Sequence, residues 1–205
     1  MLDGIRVLDV GTWIASPAAT TIMSDFGAEV IKVELPRGGD PYRGLGALPG
    51  MPLSEHNYSW WLDSRNKKSL GLDVTKPEGR EVLLALVAHS DVYVTNFPPA
   101  LTARLKLAYE DLSPVNPRLV YASLTAYGEV GEEANKPGFD VNAWWARSGF
   151  MDLVRPAGAP PTISMPGRET VGCAPADRTR SIMPERAHQA LTSKPGLVAS
   201  SPTSP

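Results

Sequence analysis

The chain has 205 residues, of which 42% are hydrophobic and 20% charged, and its formal net charge is −2. This near-neutral balance argues against a nucleic-acid-binding protein. No apolar run reaches the roughly 18 residues that span a bilayer. The single cysteine, Cys173, excludes an internal disulfide. Because no secretory leader opens the chain, we expect a cytoplasmic protein that binds neither nucleic acid nor a membrane.

The beginning of the chain predicts a strand, a helix and a second strand. Residues 5–10 are apolar and rich in β-branched side chains, as in a short buried strand. Ser16 is predicted to cap a helix that has Pro17 at its first position and stops at Gly27. Residues 28–33 are the next strand, and we expect the two strands to be parallel with a right-handed crossover.

The same alternation continues toward residue 149. A strand is predicted over residues 70–74, and Thr75 and Glu78 are expected to form a capping box at the start of the next helix. The apolar face of that helix is expected to consist of Val82, Leu83, Leu86 and Val87. Later strands are predicted at 91–95 and 119–124, with helices through Arg104, at 109–112 and at 140–148, the last closed by Gly149. This alternation indicates an α/β fold with a parallel sheet.

Three loops follow predicted strands, at residues 11–16, 34–40 and 95–99, and parallel sheets bind ligands at the carboxyl ends of their strands. The first loop lacks the glycine pattern of a dinucleotide site, and the chain has no Walker-type phosphate loop. In the second loop, Arg37 and Arg43 can hold a phosphate by paired hydrogen bonds, or they can belong to a polar surface turn.

The remaining polar candidates also have a structural alternative. Asn96 and Phe97 can hold a purine, with Arg104 able to reach the same ligand, or they can form a turn with Phe97 in the core. Asp140 stands at a predicted helix N-cap, where a carboxylate is a common cap but can also act as a nucleophile. The basic run at residues 65–68 can add positive charge for a phosphate, or it can be a solvated surface.

Composition changes after Phe150, the last aromatic residue of the chain. Residues 168–205 contain no Phe, Tyr or Trp, so they lack the large side chains that offset ordering entropy. We therefore expect an ordered body, a Pro/Gly-rich connection over residues 156–167 and an irregular, weakly structured tail.

Short motifs in a fixed order carry more information than any one of them. They include LDGIRVLD at 2–9, DFGAEVIKVE at 25–34, GGDPYR at 38–43, RNKKSL at 65–70 and PGFD at 137–140. Residues 17–18, 91–97, 104–105, 109–112 and 116–121 complete the set. This order resembles the family III CoA-transferases, which include formyl-CoA:oxalate CoA-transferase, carnitine CoA-transferases and the α-methylacyl-CoA racemases. The resemblance covers about residues 2–167.

The resemblance implies a Rossmann-like domain that binds acyl-CoA, with a carboxylic acid as the acceptor and no metal. The positions that match the family's CoA contacts are Trp13, Ile14, Ala15, Arg37, Leu72, Asn96, Phe97, Arg104 and Phe139. Arg37 and Arg104 are suited to the phosphates of CoA, and Asn96 with Phe97 to its adenosine end. The family also implies an interlocked homodimer.

The family's chemistry implies that an aspartate attacks the thioester to give a mixed anhydride, after which CoA passes to the acceptor acid through an enzyme thioester. The racemase branch moves an α-proton with a His/Asp pair instead. The His of that pair would fall at Phe139, which cannot transfer a proton, so the sequence favours a transferase over a racemase or isomerase. A non-catalytic CoA-binding module is the third alternative.

The sequence departs from the family where the nucleophile is expected. The family's aspartate lies in a Gly-Asp pair soon after a small-residue segment like 163–167, and residues 168–205 contain no such pair. Asp140 is the remaining acidic candidate. Our hypothesis is that residues 1–167 are the N-terminal part of the large domain and that 168–205 are an out-of-frame or unrelated tail. We then expect weak stability and little or no transferase activity.

Overall fold

The structure is a computed structural model that describes residues 1–47, 54–155 and 157–160, apart from the side chain of Asp140. The chain divides into one unit from Met1 to Pro137 and a second that begins at Gly138. The predicted tail, residues 168–205, lies outside the described residues, so its irregular structure stays a prediction.

Five strands of the first unit form one sheet. They are β1 (Arg6–Asp9), β2 (Glu29–Glu34), β3 (Lys67–Gly71), β4 (Val92–Thr95) and β5 (Val120–Ser123). Every neighbouring pair is parallel, and the strands lie in the order β3-β2-β1-β4-β5. This is the order of a Rossmann sheet, in which the chain first builds outward from β1 to one side and then, from β4, to the other. The predicted α/β fold with a parallel sheet is confirmed.

Helices connect the strands and cover both faces of the sheet. In the first unit they are α1 (Ala15–Asp25), α2 (Tyr58–Ser64), α3 (Pro77–Ala88), α4 (Pro99–Leu105) and α5 (Tyr109–Leu112), with a 3-10 helix at Pro41–Ala47. Over the ranges that the structure describes, every helix is too short or too polar to cross a membrane.

Successive residues of each strand face opposite sides of the sheet, which gives two distinct layers. On the side that we call the α1 face, Val7, Val30 and Val94 pack with Met23 of α1. On the other side, which we call the α3 face, the core is larger. Its buried members are Leu8, Val10, Val33, Leu83, Val87, Tyr93, Leu107, Leu112 and Leu119. Both layers exclude water from β-branched and aromatic side chains, which is the main stabilising contribution.

The predicted starts of α1 and α3 were wrong. α1 begins at Ala15, so Ser16 lies inside the helix, and its hydroxyl donates to Asp9 Oδ1 at 2.9 Å instead of capping. α3 begins at Pro77 with Lys76 as its N-cap, and the Thr75 hydroxyl donates to Asp73 Oδ1 at 2.6 Å. An N-cap side chain accepts a hydrogen bond from a helix amide, but neither residue occupies the N-cap position, which Ile14 and Lys76 take. Both hydroxyls instead donate to a carboxylate, and such charge-assisted bonds are stronger than neutral ones.

Two further corrections concern the apolar face of α3 and the position of β3. Val82 is 47% exposed, whereas Leu83 and Val87 are fully buried, so the apolar face of α3 is narrower than predicted. β3 spans Lys67–Gly71 rather than residues 70–74. Pairing with β2, in which Val30 lies opposite Lys67, sets this register. A pattern search misses it because the strand begins with charged residues.

The second unit contains a π-helix at Asp140–Ala146 and α6 at Phe150–Leu153, rather than one α-helix over 140–148. Gly149 lies between them with φ 82°, a left-handed conformation that glycine adopts readily. The rings of Trp144, Trp145 and Phe150 contact one another with centroids 5.2–6.0 Å apart. These aromatic residues are therefore the packing anchors of this unit.

Candidate functional site

Three loops leave the carboxyl ends of adjacent strands and share one edge of the sheet. We call them loop A (residues 10–14, after β1), loop B (35–40, after β2) and loop C (96–98, after β4). β1 and β4 flank the position where the strand order reverses direction, and open parallel sheets bind ligands in the crevice there. The structure therefore brings together the three loops that the sequence singled out.

Asn96 joins loop C to loop A. Its Nδ2 donates to Thr12 O at 2.7 Å, and its Oδ1 accepts from Thr12 N at 2.8 Å. A Cβ on Gly11 would lie 2.3 Å from Ser16 Cβ and 2.7 Å from Asn96 Oδ1, so only glycine permits this close approach. Asn96 thus satisfies both backbone groups of Thr12, and its contact with an adenosine stays a prediction.

Charged side chains that the sequence analysis did not single out lie buried beneath the loops. This buried cluster consists of Asp9, Lys32, Asp40 and Lys67, and each side chain is at most 2% exposed. Two carboxylates and two ammonium groups balance in charge, as burial requires. The signal available in the sequence was a charged residue inside each of two apolar strand patterns, Asp9 in β1 and Lys32 in β2.

Lys67 contradicts the alternative in which residues 65–68 are a solvated surface. Its Nζ lies 3.0 Å from Asp9 Oδ2, 2.8 Å from Thr20 Oγ1, 2.7 Å from Pro17 O and 2.9 Å from Asp63 O. Burial lowers the pKa of Lys67, and the Asp9 carboxylate partly offsets this effect. Lys67 therefore connects β3 to β1 and to both helices on this face.

Glu34 and Arg43 form a second, partly buried pair beside loop B. The guanidinium donates to Glu34 from Nε at 2.7 Å and from Nη2 at 2.8 Å, and it lies 3.7 Å from the centre of the Trp60 ring. Burial alone would raise the pKa of Glu34, but hydrogen bonds from Arg43, the Asp40 amide and Ser69 lower it to about 2. Arg43 is thus engaged within the fold, while Arg37 is exposed on loop B.

The predicted contact residues of the first unit lie along the same edge. Trp13 is in loop A, and its ring packs edge-on against the ring of Tyr42, with the two centroids 6.4 Å apart. Ile14 and Ala15, which follow Trp13 at the start of α1, are exposed. Leu72 follows β3, and its amide donates to Glu34 O at 2.7 Å beside loop B.

Phe97 is partly buried against the core of the α3 face, so its ring contributes to packing, as the structural alternative proposed. Phe139 and Asp140 belong to the second unit. Phe139 is 57% exposed, and its amide donates to Asn142 Oδ1 at 2.7 Å. The side chain of Asp140 lies outside the described residues, so its catalytic role stays a prediction.

A cavity of about 330 Å³ opens between the segment that leads into α3 and the end of α4. Four basic residues line it, namely Lys76, Arg80, Arg104 and Lys106, with Glu81 as the acidic member of the lining. Arg80 Nη2 donates to Lys106 O at 3.0 Å, which connects α3 to the end of α4. The net positive charge of this lining suits a phosphate group.

Comparisons with known proteins give the family of this chain. The family model described as CoA-transferase family III matches residues 2–170. A cinnamoyl-CoA:phenyllactate CoA-transferase from Clostridium sporogenes is 38% identical over 168 residues, which are 82% of this chain and 40% of that protein. A mouse (Mus musculus) succinyl-CoA:glutarate CoA-transferase is 38% identical over 160 residues, 78% of this chain and 36% of that protein.

A solved structure of a CAIB/BAIF family protein from Brucella suis superposes with a TM-score of 0.70 at 33% identity, covering 80% of this chain and 43% of the other. The chain therefore belongs to the family III CoA-transferases. It spans less than half the length of the curated relatives that it matches.

Proposed function

We propose that this chain binds acyl-CoA at loops A, B and C and serves the transfer of CoA from an acyl-CoA to a carboxylic acid. The observation that carries the proposal is the Asn96 bridge, which fixes loops A and C around the crevice in a chain of this family. The relatives support the same reaction class, since they are named as CoA-transferases that act on cinnamoyl-CoA or succinyl-CoA.

The phosphates and the thioester of CoA would occupy different parts of this edge. Arg104, in the basic cavity, and the exposed Arg37 on loop B are the proposed phosphate contacts, because a guanidinium can donate two parallel hydrogen bonds to a phosphate. Asn96 and Phe97 would border the adenosine end. The exposed residues at the start of α1 would contact the rest of the ligand, with Leu72 beside loop B. Phe139 is a proposed contact on the family resemblance alone.

The proposed chemistry divides a difficult exchange into easier steps. A carboxylate oxygen attacks the thioester carbon, the C–S bond breaks, and the CoA thiolate leaves an acyl anhydride on the enzyme. The thiolate then attacks the aspartyl carbonyl, which releases the first acid and forms an enzyme thioester. The acceptor acid reverses these two steps and departs as its CoA thioester. Asp140 is the candidate carboxylate.

Calorimetric titration with CoA tests the binding site. We expect the Arg104→Ala variant to bind CoA about 10–100-fold more weakly, because a hydrogen bond to a charged group contributes about 1.5–3 kcal/mol. Arg118→Ala is the matched control, since Arg118 is an exposed arginine before the amino end of β5 and should leave the Kd unchanged. Equal CoA affinity of the Arg104→Ala and wild-type chains would contradict the phosphate assignment.

An activity assay, chemical trapping and proton exchange test the reaction. Incubation with succinyl-CoA and a panel of carboxylic acids measures CoA transfer, of which this chain should show little or none, and hydroxylamine should trap any acyl-enzyme that forms in the wild-type chain but not in Asp140→Asn. Exchange of an α-proton in D2O without an acceptor acid would instead favour a racemase. CoA binding without either reaction would favour a non-catalytic module.

The cytoplasmic location and the homodimer expected from the sequence belong to the same proposal. Cell fractionation would test the location, and sedimentation would test the homodimer.

A further inference from the structure

One ion pair holds both sides of the tip of loop A. Lys32 Nζ donates to Gly11 O at 2.8 Å and lies 2.9 Å from Asp40 Oδ2. The other carboxylate oxygen, Asp40 Oδ1, accepts from Trp13 N at 3.1 Å. Gly11 and Trp13 are the neighbours of Thr12, which Asn96 already holds. The conformation of loop A therefore depends on side chains from β2, loop B and loop C.

Loop A has a backbone conformation that its own sequence does not favour. Trp13 has φ 62°, in the left-handed region that a side chain with a Cβ rarely adopts. Such a conformation persists where surrounding contacts fix it, and these sites cluster where ligands bind. The bond from Trp13 N to Asp40 is one such contact, and the Lys32 ammonium, 2.9 Å from the other oxygen of Asp40, orients that carboxylate.

The other half of the buried cluster has a different task. Lys67 contacts Asp9 and Thr20 and the carbonyls of Pro17 and Asp63, all of which attach α1 and α2 to the sheet. These partners of Lys67 lie in the sheet and the two helices, whereas the Lys32–Asp40 pair contacts the tip of loop A. A buried pair that only stabilised the fold would not need to converge on one ligand-binding loop.

We propose that the Lys32–Asp40 ion pair is a positioning element that sets loop A for acyl-CoA. This inference rests on the proposed function, in which the residues from Trp13 to the start of α1 contact the ligand. Neither side chain touches the ligand in this proposal, because both are 1% exposed beneath the loop. Their effect passes through the carbonyl of Gly11 and the amide of Trp13.

The double variant Lys32→Met with Asp40→Leu tests the proposal, because it removes both charges and leaves no unpaired one. We expect a folded chain in which CoA binds about tenfold more weakly by calorimetry, since the loss of one anchoring hydrogen bond costs about that factor. In a chain labelled with 15N-tryptophan, the amide of Trp13 should exchange with solvent about tenfold faster, for the same reason.

Lys68→Met is the matched control, because Lys68 lies on the neighbouring strand β3 with a side chain that is 70% exposed. It should change neither the CoA affinity nor the exchange of the Trp13 amide. If the double variant does not fold, Asp40→Asn replaces it: the amide keeps the shape but loses the ion pair with Lys32, and its neutral oxygen is a weaker acceptor for Trp13 N, so both measurements should shift in the same direction by a smaller factor. Wild-type affinity and wild-type exchange in a folded variant would overturn the proposal.

The two proposals fail in distinguishable ways. If the wild-type chain does not bind CoA, the proposed function is contradicted, and exchange of the Trp13 amide alone then decides whether the pair positions loop A. If the wild-type chain binds CoA and the folded variant binds it equally well, the proposed function stands and the positioning role of Lys32 and Asp40 is overturned.

Discussion

The two faces of the sheet are built from the same strands but by different chemistry. The α3 face is packed with apolar side chains, with Leu8, Val33 and Leu83 as examples, and Tyr93 adds one buried hydroxyl. The α1 face combines apolar residues such as Val7 and Val30 with buried charges. Asp9, Lys32 and Glu34 lie toward the carboxyl ends of β1 and β2, and Lys67 lies at the start of β3.

This difference separates stability from geometry. Apolar burial is non-directional and increases with area, so the α3 face holds the fold together without fixing any loop. Buried ion pairs gain little net stability because of desolvation, but they require particular partners at particular distances. Asp9, Lys32 and Glu34 occur where β1 and β2 lead into loops A and B, and we infer that these charges help to fix the loops while the apolar layers hold the sheet.

The largest expected effect is loss of a charge on the α1 face. Lys67→Met leaves Asp9 buried with one partner fewer, and we expect it to lower the free energy of unfolding by about 3–5 kcal/mol. Urea denaturation at pH 7 measures this loss of free energy.

On the α3 face, Leu83→Ala should lower the free energy of unfolding by about 2–5 kcal/mol, because it opens a cavity. The same urea denaturation measures it.

The pH dependence of these two variants then sharpens the comparison. The deficit of Lys67→Met should grow as the pH rises toward the ordinary lysine value of 10.5, because burial lowers the pKa of Lys67 and the unfolded chain therefore binds its proton more tightly over that range. The deficit of Leu83→Ala should stay constant, because no charge is involved. Equal pH dependence of the two deficits would contradict the separation of the faces.

A smaller effect is expected at Glu34, whose pKa is lowered to about 2. A lowered pKa means that its contribution to stability is complete above the ordinary value of 4.5 and is lost as the pH falls toward 2. Glu34→Gln should therefore destabilise the chain by about 1.5–3 kcal/mol at pH 7. Urea melts should show this difference disappearing between pH 5 and pH 2, as the pKa shift requires.

Glu55→Gln is the control for Glu34, since Glu55 is exposed and should give a flat difference near zero over the same pH range. If the loss of unfolding free energy in Glu34→Gln were the same at pH 2 as at pH 7, the side chain would stabilise the fold through its packing rather than through its charge.

The smallest effect is expected at the polar exception on the α3 face. The Tyr93 hydroxyl is fully buried and finds no hydrogen-bond partner in the part of the chain that the structure describes, and burial raises the pKa of Tyr93. Its ring stacks on Tyr121 with centroids 5.3 Å apart. Tyr93→Phe keeps the ring and removes the unsatisfied group, so we expect a gain of about 1 kcal/mol in thermal or urea melts. A loss of stability would show that this face is not purely apolar.

Much of the fold could be predicted because its signals are local. The apolar runs of β1 and β2, and Gly27 after α1, identify a strand-helix-strand unit from neighbouring residues alone. Since carboxyl ends of parallel strands share an edge, the positions of loops A, B and C followed as well.

The errors at Ser16, Thr75 and Val82 have two causes. The hydroxyls of Ser16 and Thr75 donate to Asp9 and Asp73, and neither residue takes the N-cap position that a hydroxyl before an apolar helix predicts. The exposure of Val82 depends on how α3 is rotated against the sheet, which its own periodicity specifies only approximately.

The sequence by itself determined the alternation of strands and helices, the loops at the sheet edge and the family, because each is written in short segments. Only the tertiary structure decided the strand order, the register of β3 and the burial of Lys67. Asp9 and Lys67 are 58 positions apart, and a charged side chain reads as exposed until its partner is known. Desolvation is a property of the folded surroundings, so local composition cannot reveal which charges the fold buries and pairs.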